Sequence, residues 1–124
     1  MSTVGVGIDI QSISAFGRAQ ALREPGVFFT DHEWGRSARG GNAVESLAGI
    51  LSAKEALYKA LPVRVPFHWT DIEVRREPGA APHFQVQGRL ARWLDRNGWR
   101  ALLSISHSGD YATAIAVVVH DVPA

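Results

Sequence analysis

Ser52-Ala53-Lys54-Glu55-Ala56-Leu57-Tyr58-Lys59-Ala60-Leu61 decides the fold. The stretch reads as a helix. At about 100° per residue, Leu47, Ile50, Leu51, Leu57, Tyr58 and Leu61 share one arc. Lys54 falls inside that arc, and Glu55 and Lys59 sit together at its edge. The opposite side carries Gly49, Ala53, Ala56 and Ala60, small enough for another backbone to approach closely. Such a helix has little solvent face and is expected to be buried on most sides. Buried charge is costly unless it is paired or bound to something charged, so these charges mark a candidate site. The plainer account makes Glu55 and Lys59, four apart in the Glu-to-Lys order, an ordinary surface pair. Spacing alone favours that account. Lys54 weakens it, although a lysine stem can snorkel out of an apolar face.

Working outward, Pro62 and Pro66 stop this helix, and Asn42 to Glu45 offers its cap. Upstream, Val4 to Ile10 is a short apolar strand that carries Asp9 near its end. Ser12 to Leu22 reads as a helix, broken by Glu24-Pro25-Gly26. Thr30-Asp31-His32-Glu33 is a capping-box pattern, and Arg36 to Gly41 reads as a basic glycine-containing loop. Downstream, Asp71 to Arg75 and His83 to Gln87 alternate in polarity around Glu77 to Pro82, which predicts a hairpin. Gly88 to Arg96 is a short helix with Leu90, Trp93 and Leu94 inward, capped by Asn97-Gly98. Ala101 to Ser106 and Tyr111 to Val119 are strands, with His107 to Asp110 turning between them. The expected class is α+β, an antiparallel sheet with helices on one face around a long central helix.

The 124 residues suit a single domain, 1–124, with a proper core. Apolar content of 46% against 20% charged excludes a disordered chain. A net charge of +1 argues against a general nucleic-acid binder. The absence of cysteine excludes disulfides, thiolate metal sites and a cysteine nucleophile. No leader and no long apolar run is apparent, so no membrane span is expected and the cytoplasm is the expected location.

Asp9 and Glu55 together would make a two-carboxylate oxygen site. Mg²⁺ is usually held by one or two carboxylates, with water and phosphates completing the octahedron. Asp9 is equally well read as a strand-end cap. His107, between Ser106 and Ser108, could orient a phosphate or a nucleotide, but a lone histidine is more often structural. There is no Walker-type loop, no dinucleotide fingerprint and no Gly-x-Ser-x-Gly elbow.

Taken in order, several segments resemble the holo-acyl-carrier-protein synthase family of 4′-phosphopantetheinyl transferases. They are Gly5-Val6-Gly7-Ile8-Asp9-Ile10, Phe29-Thr30-Asp31-His32-Glu33, Leu47-Ala48-Gly49 leading to Ala53 through Leu61, Trp69 through Val74, Gly79 to Pro82, and Ser104 through Ser108 with Tyr111-Ala112. Each motif is weak alone; the ordered series is specific and spans nearly the whole chain. The resemblance implies a compact α+β fold, a homotrimer with active sites between neighbours, and transfer of the phosphopantetheine arm from coenzyme A to a serine of an apo acyl carrier protein. Adenosine 3′,5′-bisphosphate is the other product. Carried over by position, Asp9 and Glu55 would hold Mg²⁺, Lys59 with Lys54 nearby would face the phosphates, and Ser106, His107 and Ser108 would contact the nucleotide end. The base is open between a metal-bound water and Glu33, which the capping box explains equally well. The implied carrier serves fatty-acid, polyketide or peptide synthesis.

Three departures stand out. The family usually has an arginine six residues after the strand aspartate to grip its acidic carrier; here that position is Ala15, with Arg18 and Arg23 as substitutes from the next turns. An arginine often follows Leu-Ala-Gly; here it is Ile50. Pro62-Val63-Arg64-Val65-Pro66 stands where a glycine-rich loop is usual. These leave two alternatives: a non-catalytic module that binds carrier proteins, or a repurposed enzyme acting on a carrier-bound chain. Loss of coenzyme A binding would favour the former, and a reaction without Mg²⁺ the latter.

Overall fold

A computed structural model describes residues 1–121. β1 (Ser2–Ser12), β5 (Tyr111–His120) and β4 (Trp99–Ser108) form an antiparallel sheet in that order. The central strand turns Ala112, Ala114, Ala116 and Val118 to one face, all buried. The long helix α3 (Ala43–Ala60) crosses that face. It comes close because the residues between are small. A Cβ on Gly5 or Gly7 would lie 1.9 Å from the carbonyl oxygen of Ala60 or Ala56. The small side of α3 therefore packs backbone to backbone on β1. Leu47, Leu51 and Leu57 fill the core, each contributing about 1.5–3 kcal/mol by burial.

A second antiparallel sheet pairs β2 (Ile72–Arg75) with β3 (His83–Val86). α4 (Gly88–Asn97) buries Leu90 and Leu94 and ends on Gly98, whose φ of 67° is the left-handed cap glycine supplies cheaply. Trp93 packs edge-on against Trp99. α2 (Asp31–Arg39) opens with the expected capping box: Thr30 Oγ1 accepts from Glu33 N at 3.2 Å, and Glu33 Oε1 accepts from Thr30 N at 2.9 Å.

The α+β class, the hairpin and the central helix match the sequence expectations; several boundaries differ, β1 among them, which runs beyond Val4 to Ile10 at both ends. The first helix, α1, covers Ile13–Arg18 only; a 3₁₀ turn follows over Gln20–Arg23. Gly17 is a poor helix former, and Arg23 Nη2 donates to its carbonyl at 2.7 Å, which holds the broken form. Arg36 to Arg39 are helical rather than loop, because α2 continues until Gly40 and Gly41. β4 runs through His107 and Ser108, and only Gly109-Asp110 turns. Asp110 then accepts from Ser14 N and from the hydroxyls of Ser12 and Ser14, tying α1 to this turn.

The other face of the three-stranded sheet is apolar and bare in the single chain. Val6, Ile8, Ile10, Leu102 and Ile115 are each 40–65% exposed there. Ile8 pairs across with Ile115, and Val6 shares a row with Leu102, so these side chains lie side by side.

Candidate active site

Asp9 is presented by β1 on the face that meets α3. Its backbone carbonyl accepts from Ser52 Oγ (2.9 Å) and Thr113 Oγ1 (2.8 Å), which fixes the strand at that point. Its carboxylate is largely buried. Oδ1 takes Lys59 Nζ at 3.0 Å and Oδ2 takes Gln11 Nε2 at 2.7 Å. Lys59 also reaches the Ile8 carbonyl at 3.2 Å and stays half exposed. Burial pushes the Glu55 carboxyl above the usual range; the nearby Asp9 charge adds to this, and Lys59 offsets it. So Asp9, Glu55 and Lys59 come together at one edge of α3, as the sequence suggested. Two carboxylates that repel one another beside a single ammonium suit a hard dication that keeps its remaining positions for water and phosphate oxygens.

Lys54 does not join them. Its side chain has no exposed surface, and Nζ meets Glu33 Oε1 at 2.7 Å. Nζ also donates to the carbonyls of Phe28 (2.7 Å) and Trp69 (3.1 Å). The expectation that Lys54 faces phosphates is corrected: its donors are spent in the core. Glu33 is likewise withdrawn as a candidate base. It has no exposed surface, and its second oxygen accepts from Val74 N at 2.7 Å. Sequence placed Lys54 in an apolar arc correctly but could not place its partner, because Glu33 arrives from another helix.

His107 lies across α3 from Asp9. Its Nε2 would be 2.8 Å from a Cβ built on Gly49, so glycine there leaves room for the ring. His107 borders a cleft of about 390 Å³ whose lining includes Arg36, Ser46, Arg75, Arg76 and Ser106. None of Asp9, Glu55 and Lys59 lines it. Strand alternation separates the three residues expected to act together. Ser106 borders the cleft, but its side chain shares a row with Thr113 and Ile10 on the bare sheet face, and Ser108 lies outside the cleft. Arg75 and Arg76 were missed as site residues because in sequence they belong only to a hairpin end.

Residues 5–116 match the model of the 4′-phosphopantetheinyl transferase superfamily. The chain belongs to this family. It is 35% identical over 122 residues to a holo-[acyl-carrier-protein] synthase of Myxococcus xanthus, covering 95% of this chain and 96% of the relative. It is 39% identical over 120 residues to one of Salinispora arenicola, covering 92% and 96%. Among solved structures, the ACPS–CoA complex of Chronobacterium ammoniagenes superposes with a TM-score of 0.78 at 33% identity, covering 94% of this chain and 97% of that one. The family resemblance, the α+β fold and the transferase class read from the sequence therefore hold.

Proposed function

We propose that the chain moves the phosphopantetheine arm of coenzyme A onto a serine hydroxyl of an apo acyl carrier protein, and that Asp9, Glu55 and Lys59 form its reaction centre. The observation that carries this is the meeting of two carboxylates and one half-exposed ammonium at the edge of α3. The serine oxygen attacks the phosphorus that bears the arm, the bond to the leaving phosphate breaks, and the released fragment is adenosine 3′,5′-bisphosphate. Negative charge grows on the departing oxygen. Mg²⁺ held by Asp9 and Glu55 would neutralise part of that charge. Lys59 donates to the same phosphates, and its flexible stem lets it leave Asp9 without moving the backbone. Ser52, Thr113 and Gln11 hold Asp9 in place. With Glu33 enclosed in the core, the serine proton leaves to water at the site rather than to that carboxylate.

His107 receives the nucleotide end in the arginine-lined cleft, while Ser106 points to the other sheet face. In one chain α3 stands between this cleft and the Asp9 centre. The bare apolar sheet face supplies what a closed symmetric assembly needs. The reading is therefore a cytoplasmic homotrimer in which one protomer gives the carboxylates and its neighbour gives His107. The carrier it serves belongs to fatty-acid or polyketide assembly.

The test is intact-mass spectrometry of apo carrier proteins after incubation with this protein, coenzyme A and Mg²⁺, beside a metal-free control. Metal-dependent gain of one phosphopantetheine is expected, and Asp9→Ala or Glu55→Ala should abolish it while leaving circular dichroism unchanged. Near-normal transfer by either variant would remove the assignment of the reaction centre.

A further inference from the structure

Ser37 lies on α2, in the wall of the arginine-lined cleft. Its side chain is 2% exposed, yet its Oγ has no hydrogen-bond partner among the described residues. A serine inside a helix commonly satisfies itself on the carbonyl four residues back; here no such bond forms. Leaving a buried hydroxyl unpaired lowers stability, and such orphans call for an explanation. Alanine would fit the same space without that cost. The cleft offers the reason. Arg36, Arg75 and Arg76 line it with Ser37, from the end of α2 and from the strand and loop that follow it around the hairpin. Ile50 borders the same cleft and brings no charge.

We infer that Ser37 is a specificity-determining residue: its hydroxyl donates to a phosphomonoester on the nucleotide end of the donor, with Arg36 and Arg76 supplying the balancing charge beside Arg75, which is already paired with Glu73. The inference rests on the reading of this cleft as the nucleotide site. Arginine forks match phosphate oxygens in pairs, and a hydroxyl adds a short, charge-assisted bond to an oxygen the forks leave free. The missing partner matters, because a buried donor left unpaired in the absence of the phosphate discriminates most strongly between a ligand with the acceptor and one without.

The test is Ser37→Ala in the full chain, assayed with coenzyme A and with dephospho-coenzyme A, which lacks the 3′-phosphate. The expected result is unchanged or raised thermal stability together with a roughly tenfold higher KM for coenzyme A, the size of one charge-assisted hydrogen bond. The KM for dephospho-coenzyme A should be the same in both proteins. A purely structural serine would instead lose stability with KM unchanged, which overturns the inference. An equal rise in KM for both donors overturns the phosphate assignment. Calorimetry with adenosine 3′,5′-bisphosphate and adenosine 5′-monophosphate separates this from the wider reading. If no carrier accepts the arm but Ser37→Ala still weakens only the bisphosphate, the transfer reading fails and Ser37 stands. If the variant binds both as the parent does, the inference fails whatever the activity.

Discussion

Replacing Lys54 by methionine separates a structural lysine from a phosphate ligand. Methionine matches the stem but strips Glu33 of its ionic partner inside the core and leaves the Phe28 and Trp69 carbonyls without that donor. Removing one member of a buried ion pair typically costs about 3–5 kcal/mol, because the other charge stays behind. Against a total stability of about 5–15 kcal/mol, that is a large share. For a chain of this length it lowers the melting temperature by roughly 10–20 °C. The assay is thermal and urea denaturation at matched protein concentration. Adding Glu33→Gln to Lys54→Met should recover part of the loss, giving a coupling of about 2 kcal/mol in a double-mutant cycle. Burial holds the Lys54 ammonium below the ordinary lysine range, with Glu33 and Glu73 opposing that shift. A depressed value means this group's contribution is present above the unfolded pKa and declines as pH falls through the folded one; the methionine variant should lack that slope. Measured well below its melting point, the variant should transfer within about threefold of the parent, as expected for a group outside the reaction centre. A stable Lys54→Met protein with transfer lost would return Lys54 to the phosphates.

Other outcomes follow from the same geometry. Glu55→Gln removes the repulsion with Asp9 and should raise the metal-free melting temperature at neutral pH while cutting transfer roughly 10²–10³-fold; a lower melting temperature would contradict the carboxylate contact. Because burial and Asp9 raise the Glu55 pKa, its contribution to metal-free stability is full below the unfolded value and is lost as pH rises through the folded one. Protons and Mg²⁺ compete for it, so the Mg²⁺ needed for half-maximal rate should climb as pH falls through that raised value, and a pH-independent requirement would count against Glu55 as a ligand. Gly7→Ala puts a carbon 1.9 Å from the Ala56 carbonyl oxygen and should destabilise by about 3 kcal/mol or more, read by urea denaturation; a neutral result would mean that α3 does not rest on β1 as described.

Much of the fold was legible because local chemistry and packing agree. Thr30 and Glu33 form the box that their spacing announces, and Ala56 and Ala60 of α3 meet the glycines of β1. The boundaries that failed were set by contacts from elsewhere. Arg23 reaches back to Gly17 and keeps α1 short, and the hydrogen-bond ladder with Tyr111 carries β4 past His107. At the site, the Asp9 side was legible from a carboxylate in an apolar strand and a Glu–Lys pair at helical spacing. Lys54 was not, because a charge in an apolar arc looks the same whether it awaits a ligand or a buried partner. Ser37 was invisible, since a serine in a polar helix carries no sign that its hydroxyl will be enclosed.

The division of the site by α3 has a consequence that mixing experiments can read. If each active site joins the carboxylates of one protomer to His107 of the next, a Glu55→Gln variant and a His107→Ala variant are both strongly impaired for different reasons, and each still carries the half the other lacks. Unfolding and reassembling them together in equal amounts distributes protomers at random around a ring with one interface per neighbour pair. A complete site then needs an intact Glu55 on one side and an intact His107 on the other, which random mixing gives at about a quarter of the interfaces. Transfer should therefore return to roughly a quarter of the parental rate, while either variant reassembled alone stays strongly impaired. A site contained within one chain predicts no recovery at any mixing ratio, so the experiment distinguishes the two arrangements without reference to how tightly either variant binds its substrates.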